Sequence, residues 1–183
     1  SLHDALPIWN FVYQAGGHIL NEDKTKAGFM DPATRKGMEF YIHLQKEPWC
    51  PDQKYFAETN PGTAFISGQG AMYLEGNWNL MSMMENNKDM EGKWDVAVLP
   101  KCPDPLNGDG RATISNGLCY ATGAKGKKLE HAKDFLKFAG SEEGQRAQGL
   151  SGAAIPAYEG LEHTWVQAFS QFDYKLDVQK CVD

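Results

Sequence analysis

Apolar residues recur along this chain in short periodic blocks, and glycine and proline separate the blocks. Residues 9–15 read as the end of a helix, closed by Gly16 and Gly17. Residues 19–22 read as a short strand or a turn. Asp31 followed by Pro32 marks a helix start, because aspartate caps free N–H groups and proline fits the first helical position. That helix runs to about Gln45 with Met38, Tyr41 and Ile42 on one face. Pro48 stops it before a loop at Cys50 and Pro51. Asn60-Pro61 opens a shorter helix carrying Phe65 and Ile66, and 67–70 ends it.

Strand patterns then enter. Residues 71–74 read as a short buried strand, 79–86 as a Met-rich helix and 94–99 as a second strand stopped by Pro100. Residues 101–110 are rich in Pro, Gly and Asp and must form a loop. Extended segments follow at 112–114 and 118–121, interrupted by Ser115-Asn116-Gly117. The helix at 129–139 carries Leu129, Ala132, Phe135, Leu136 and Ala139 on one stripe. Ser141 caps the next helix, with Glu142 and Glu143 in its first turn. Residues 149–152 break it, and Ile155-Pro156 leads into a turn. The remainder, through Trp165, Phe169 and Phe172, reads as one helix with a ragged end. Strands alternating with helices predict an α/β fold.

One position in this pattern carries chemistry. Gly76 breaks the strand at 71–74, and Trp78 follows at once between Asn77 and Asn79. Trp78 is therefore expected in the turn after a strand, or in the first turn of a helix. Ligands of α/β proteins collect there, outside the carboxyl ends of the strands. An indole covers the C–H face of a sugar ring, and amides both donate to and accept from hydroxyls. The other tryptophans at 49, 94 and 165 read as packing residues, and Met81, Met83 and Met84 as adaptable packing.

Composition narrows the field. With 42% hydrophobic and 23% charged residues, the chain is ordinary for a globular protein, and its 183 residues suffice for one domain or two small lobes. A net charge of −6 gives no basic footprint, so nucleic acid is not an expected partner. No apolar run is long enough to span a membrane, and no export signal opens the chain. The start reads as truncated: residues 1–8 carry no cap and no periodicity, and their sequence resembles a translated sequencing-adapter remnant, so a non-native origin is one reading of them. Cys50, Cys102, Cys119 and Cys181 are far apart with no C-x-x-C, which indicates no zinc site and leaves disulfide pairing open.

Catalytic patterns are missing. There is no G-x-S-x-G elbow, P-loop, G-x-G-x-x-G after a strand or H-E-x-x-H, and His3, His18, His43, His131 and His163 are not at ligand spacing. No catalytic residue, metal or cofactor is expected. Glu75 follows a strand as a glycosidase acid could, but Asp95 opens its strand, so no second strand-end carboxylate pairs with it.

Several segments together resemble one family. They are 9–17 (WNFVYQAGG), 64–78 (AFISGQGAMYLEGNW), 94–100 (WDVAVLP), 132–138 (AKDFLKF), 141–144 (SEEG) and 152–157 (GAAIPA). Their order and spacing resemble the extracellular solute-binding proteins, family 1, of ABC sugar importers, the maltose-binding type. The resemblance implies a periplasmic-binding-protein-like (type II) fold of two α/β lobes with sugar in the cleft between them. It implies that this chain is an incomplete, C-terminal fragment. Residues 9–111 then belong to the C-terminal lobe, 112–117 cross between lobes, 118–154 belong to the N-terminal lobe and 155–183 return to the C-terminal lobe. It places Trp78 against the sugar, with Asn77, Glu75, Ser115, Asn116, Tyr158 and Trp9 as further candidates, and small residues from Gly152 onward facing the cleft. The implied partners are a carbohydrate and the permease subunits. The implied location is the periplasm or the outer face of the membrane, through a lipid anchor outside this sequence or through the permease. A non-sugar solute such as a polyamine or glycerol phosphate is the alternative, and a glycoside hydrolase fragment a second one.

Overall fold

A computed structural model describes residues 6–182, without the side chains of Leu6, Pro7 and Gln53. Most of the octet read as an adapter remnant lies outside the described residues. Contacts gather the chain into two compact units. The first holds the residues up to Leu74 together with Leu99–Asn116, and the second holds Glu75–Val98 and the residues from Gly117 onward.

In the first unit, helix α1 (Leu6–Gln14) packs on α2 (Pro32–Leu44). Gly16, at φ +85°, and Gly17 close α1 by donating to the carbonyls of Tyr13 and Val12, both at 2.9 Å. That crossed pair needs a left-handed residue, which glycine supplies without strain. The carboxylate of Asp31 caps α2, accepting from the amides of Ala33 at 2.9 Å and Thr34 at 3.0 Å. The buried stripe of α2 is Ala33, Thr34 and Gly37, whereas Ile42 is exposed. Of the predicted Met38–Tyr41–Ile42 face, Met38 and Tyr41 are half-buried and Tyr41 stacks on Phe11, and Ile42 alone is corrected to an exposed position. The reason is close approach: a side chain at Gly37 would overlap the backbone of Phe11 and Val12, so the small residues mark the seam. Two short helices follow, α3 (Gln53–Glu58), capped by Asp52, and α4 (Pro61–Ile66), capped by Asn60. The sequence reading missed α3. Trp49 is 66% exposed, so it is not the packing residue expected.

In the second unit, helix α5 (Leu80–Glu85) follows a single 3₁₀ turn at Asn77–Asn79. Helix α6 (Lys127–Ala139) and α7 (Glu142–Leu150) come next, then α8 (Glu162–Ala168), which runs into a 3₁₀ turn at Phe169–Gln171. The core joins Leu80, Met81 and Met84 of α5 to Trp165, Ala168, Phe169, Leu176 and Val178, with Trp94 and Val96 packed against it. Trp165 is 0% exposed, and its indole N–H donates to the carbonyl of Gly152 at 3.1 Å. Helices α7 and α8 pack together, so the return segment shares a unit with the residues before it. On α6, Ala139 is buried but Phe135 is 58% exposed, which removes it from the predicted buried stripe. Nearby in sequence, Leu118 is 85% exposed.

The predicted strands at 71–74, 94–99, 112–114 and 118–121 do not form ladders. Among the described residues the β pairing is a single antiparallel bridge between Leu20 and Ala27. A strand persists only where a neighbouring chain takes up its backbone groups. Here side chains take that role: the amides of Val96 and Asp177 both donate to Asp95 Oδ1 at 2.8 Å. Residues 71–74 are also not buried, and Met72 is 85% exposed. The described chain is thus mostly helical, and the expected α/β sheet is not formed within it. All four cysteines are free thiols, and burial, reinforced by Asp177, pushes the Cys181 thiol above its ordinary range.

Candidate functional site

Trp78 lies in the 3₁₀ turn at Asn77–Asn79, directly before α5. The sequence reading left two positions open, and this is the helix-entry one. The amide of Asn79 donates to the carbonyl of Gly76 at 3.3 Å and closes the turn. Asn77, Trp78 and Asn79 are all half-buried, while Leu80 next to them enters the core. The turn is therefore anchored from below. A side chain at Gly76 would overlap the six-membered ring of Trp78, so the indole folds back over its own turn.

Glu75 is exposed, and one carboxylate oxygen accepts the Gly76 amide at 2.9 Å. Tyr158, at 42% exposure, follows a loop rooted in the same unit. Its root is Gln145 of α7, a buried amide that accepts from the Ala157 N–H at 2.8 Å and donates to the Ala139 carbonyl at 2.8 Å. Gly152 is buried instead of lining an open surface, because any side chain there would strike Met81. Its carbonyl is taken by Trp165.

The other candidates belong to the first unit. Trp9 stacks on Phe29, with centroids 6.2 Å apart and planes at 10°. Its neighbour Asn10 accepts the Ile114 amide at 2.8 Å, and Gln14, one turn further along α1, donates to the Ala112 carbonyl at 3.1 Å. Two amides at i and i+4 share one helix face. They substitute for a strand partner and hold the segment that leads to the exposed Ser115 and Asn116. Trp9 and Ser115-Asn116 thus sit on neighbouring elements. The roles of Asn10, Gln14 and Phe29 were not read from the sequence; only the i, i+4 amide spacing could have flagged the first two.

Two shallow concavities of about 310 and 290 Å³ lie on α2, lined by Met30, Arg35 and Lys36 and by Phe29, Met38 and Ile42 respectively. Neither includes a predicted site residue. Among the described residues, no three His, Cys, Asp or Glu gather as a metal site, and no helix is long and apolar enough to cross a membrane.

Comparison with known proteins identifies the family. Residues 8–171 match the family described as bacterial extracellular solute-binding protein, and the chain belongs to that family. Membership carries a periplasmic-binding-protein-like fold class. The chain is also 24% identical over 153 residues to the diacetylchitobiose binding protein DasA of Streptomyces coelicolor. The match covers 82% of this chain and 35% of that protein. The chain therefore spans about a third of the curated relative it matches. No solved structure gives a significant match.

Proposed function

We propose that this chain is part of the substrate-binding component of an ABC carbohydrate importer. It captures a mono- or oligosaccharide in a cleft between two α/β lobes and delivers it to the permease. The observation that supports this best is Trp78: a half-buried indole between two amide side chains, fixed in a turn whose next residue is core. The similarity to a diacetylchitobiose binding protein favours a sugar over other solutes. In this reading Trp78 stacks on the ring, Asn77 and Asn116 pair with hydroxyls or acetamides, and Ser115, Tyr158, Glu75 and Trp9 line the rest. Residues 112–117 cross between lobes. The location is the periplasm or the outer face of the membrane.

Capture needs no bond chemistry. A sugar face covering about 50 Å² of indole contributes about 1 kcal/mol at about 25 cal/mol/Å². Affinity must therefore sum several such contacts and satisfied hydroxyls. A buried amide left unpaired costs as much as one stack gains, so the asparagines discriminate between sugars more than they tighten binding. Bound sugar then favours the closed arrangement of the lobes by hinge motion. The hydrolase alternative is disfavoured because Glu75 spends a carboxylate oxygen on the adjacent Gly76 amide.

Titration calorimetry with N,N′-diacetylchitobiose, maltose, spermidine and glycerol 3-phosphate tests this. The expected result is sugar binding that Trp78→Ala weakens by about fivefold, the worth of one aromatic contact. Binding of spermidine or glycerol 3-phosphate alone, or a Trp78→Ala variant with unchanged sugar affinity, refutes it.

A further inference from the structure

The geometry points to Gly76 as the positioning residue of the Trp78 platform, holding the indole so that only one face is open to a single flat ring. This rests on the sugar-binding reading for what the platform receives, and on the structure alone for how the platform is held.

A side chain built at Gly76 meets Cε3, Cζ3 and Cη2 of the Trp78 indole at nearly equal separations. Approach along the ring edge would favour one atom over its neighbours. Near-equal approach to three consecutive atoms comes from above the ring plane. The benzo ring therefore lies face-on against the main chain at Gly76. Gly76 itself has φ −80° and ψ 157°, a conformation any residue adopts. Glycine is needed here by the ring and not by the backbone.

Two consequences follow. The face turned to Gly76 is closed, so a ligand cannot be sandwiched around the indole and must stack on the outward face. In addition, Gly76→Ala changes one thing: it adds a methyl group where the ring now sits. The backbone can stay, and the indole must leave.

The experiment uses the 183-residue chain labelled with 5-fluorotryptophan, which gives five ¹⁹F resonances, the Trp78 signal being assigned by its loss in Trp78→Phe. In Gly76→Ala without ligand, the Trp78 resonance moves while the other four hold. N,N′-diacetylchitobiose then binds about fivefold more weakly, the loss of one stack. In a Trp78→Ala background, Gly76→Ala has no further effect on affinity, because the two changes act through one group. If Gly76→Ala does not fold, Gly76→Ala/Trp78→Ala folds, since the clash is gone. An unmoved Trp78 resonance, or equal weakening in both backgrounds, overturns the assignment. If the wild-type chain binds no diacetylchitobiose, the sugar reading fails, and the ligand-free ¹⁹F shift still decides the role of Gly76.

Discussion

In the first unit two helices meet backbone to backbone, across Ala33, Thr34 and Gly37. In the second, a fully buried Trp165 packs edge-to-face on Phe169 in a cluster that also holds Met84 and Leu176. The first interface brings main chain close at Gly37, with Phe11 packed on Phe40 and Tyr41 beside it, and the second is filled by side chains, within one polypeptide of ordinary composition. A seam of small residues fails when atoms are added, and a core of large ones fails when atoms are removed.

The largest expected effect comes from removal. Trp165→Ala should cost about 4 kcal/mol, as a cavity forms and the Gly152 carbonyl loses its donor. Chemical denaturation measures it, and a loss under 1 kcal/mol would mean that the second unit does not depend on this ring. Addition comes next: Gly37→Ala should cost about 2 kcal/mol, because the methyl group meets backbone that cannot step aside. A neutral Gly37→Ala would erase the contrast between the units. Thr34→Val sharpens it at constant volume. The Thr34 hydroxyl donates to the His18 carbonyl at 2.9 Å and accepts the His18 amide at 3.0 Å. Leaving both unpaired should cost about 1.5 kcal/mol, and Thr34→Ser should recover much of it.

The smallest effect is electrostatic. Lys36 Nζ lies 2.6 Å from Asp104 Oδ2, and this hydrogen bond, with the lysine charge, holds the Asp104 carboxyl below its ordinary range. A lowered carboxyl pKa gives stability that is present above the unfolded value and lost as pH falls toward the folded one. Lys36→Met should flatten that part of the acid limb, and salt should mimic the substitution because the pair is exposed. A Tm-against-pH series reads this; an unchanged acid limb would leave the pair without a role.

Legibility of these features followed locality. Asp31-Pro32, Asn60-Pro61 and Ser141 set their helices by chemistry within three residues, and all three starts stand where the sequence placed them. Trp165 and the Met81–Met84 stripe read as packing and are packing. The strands could not be settled the same way, because a ladder depends on partners far along the chain. At 94–99, Trp94 and Val96 do pack on the core, yet among the described residues no β ladder forms there. On α2, Ile42 is exposed and the seam at Ala33, Thr34 and Gly37 was not visible in the hydrophobic pattern, because that contact is decided by how closely the backbones approach. Gly76 read only as a break, and its packing against the indole two residues on needed coordinates. The exposed Leu118 and Phe135 also bear on handling: the 183-residue chain should self-associate, and Leu118→Ser with Phe135→Lys should shift it toward monomer in sedimentation.

The Gln145 amide, lastly, acts as a peg under the loop that ends at Tyr158. Because it is buried and bonded at both ends, the Ala157 N–H should exchange with solvent far more slowly than the amides of neighbouring exposed turns. A residue mounted on so stiff a root has already given up much of its freedom before anything binds. Whatever Tyr158 meets is spared part of the ordering entropy that a loose loop would add to every encounter.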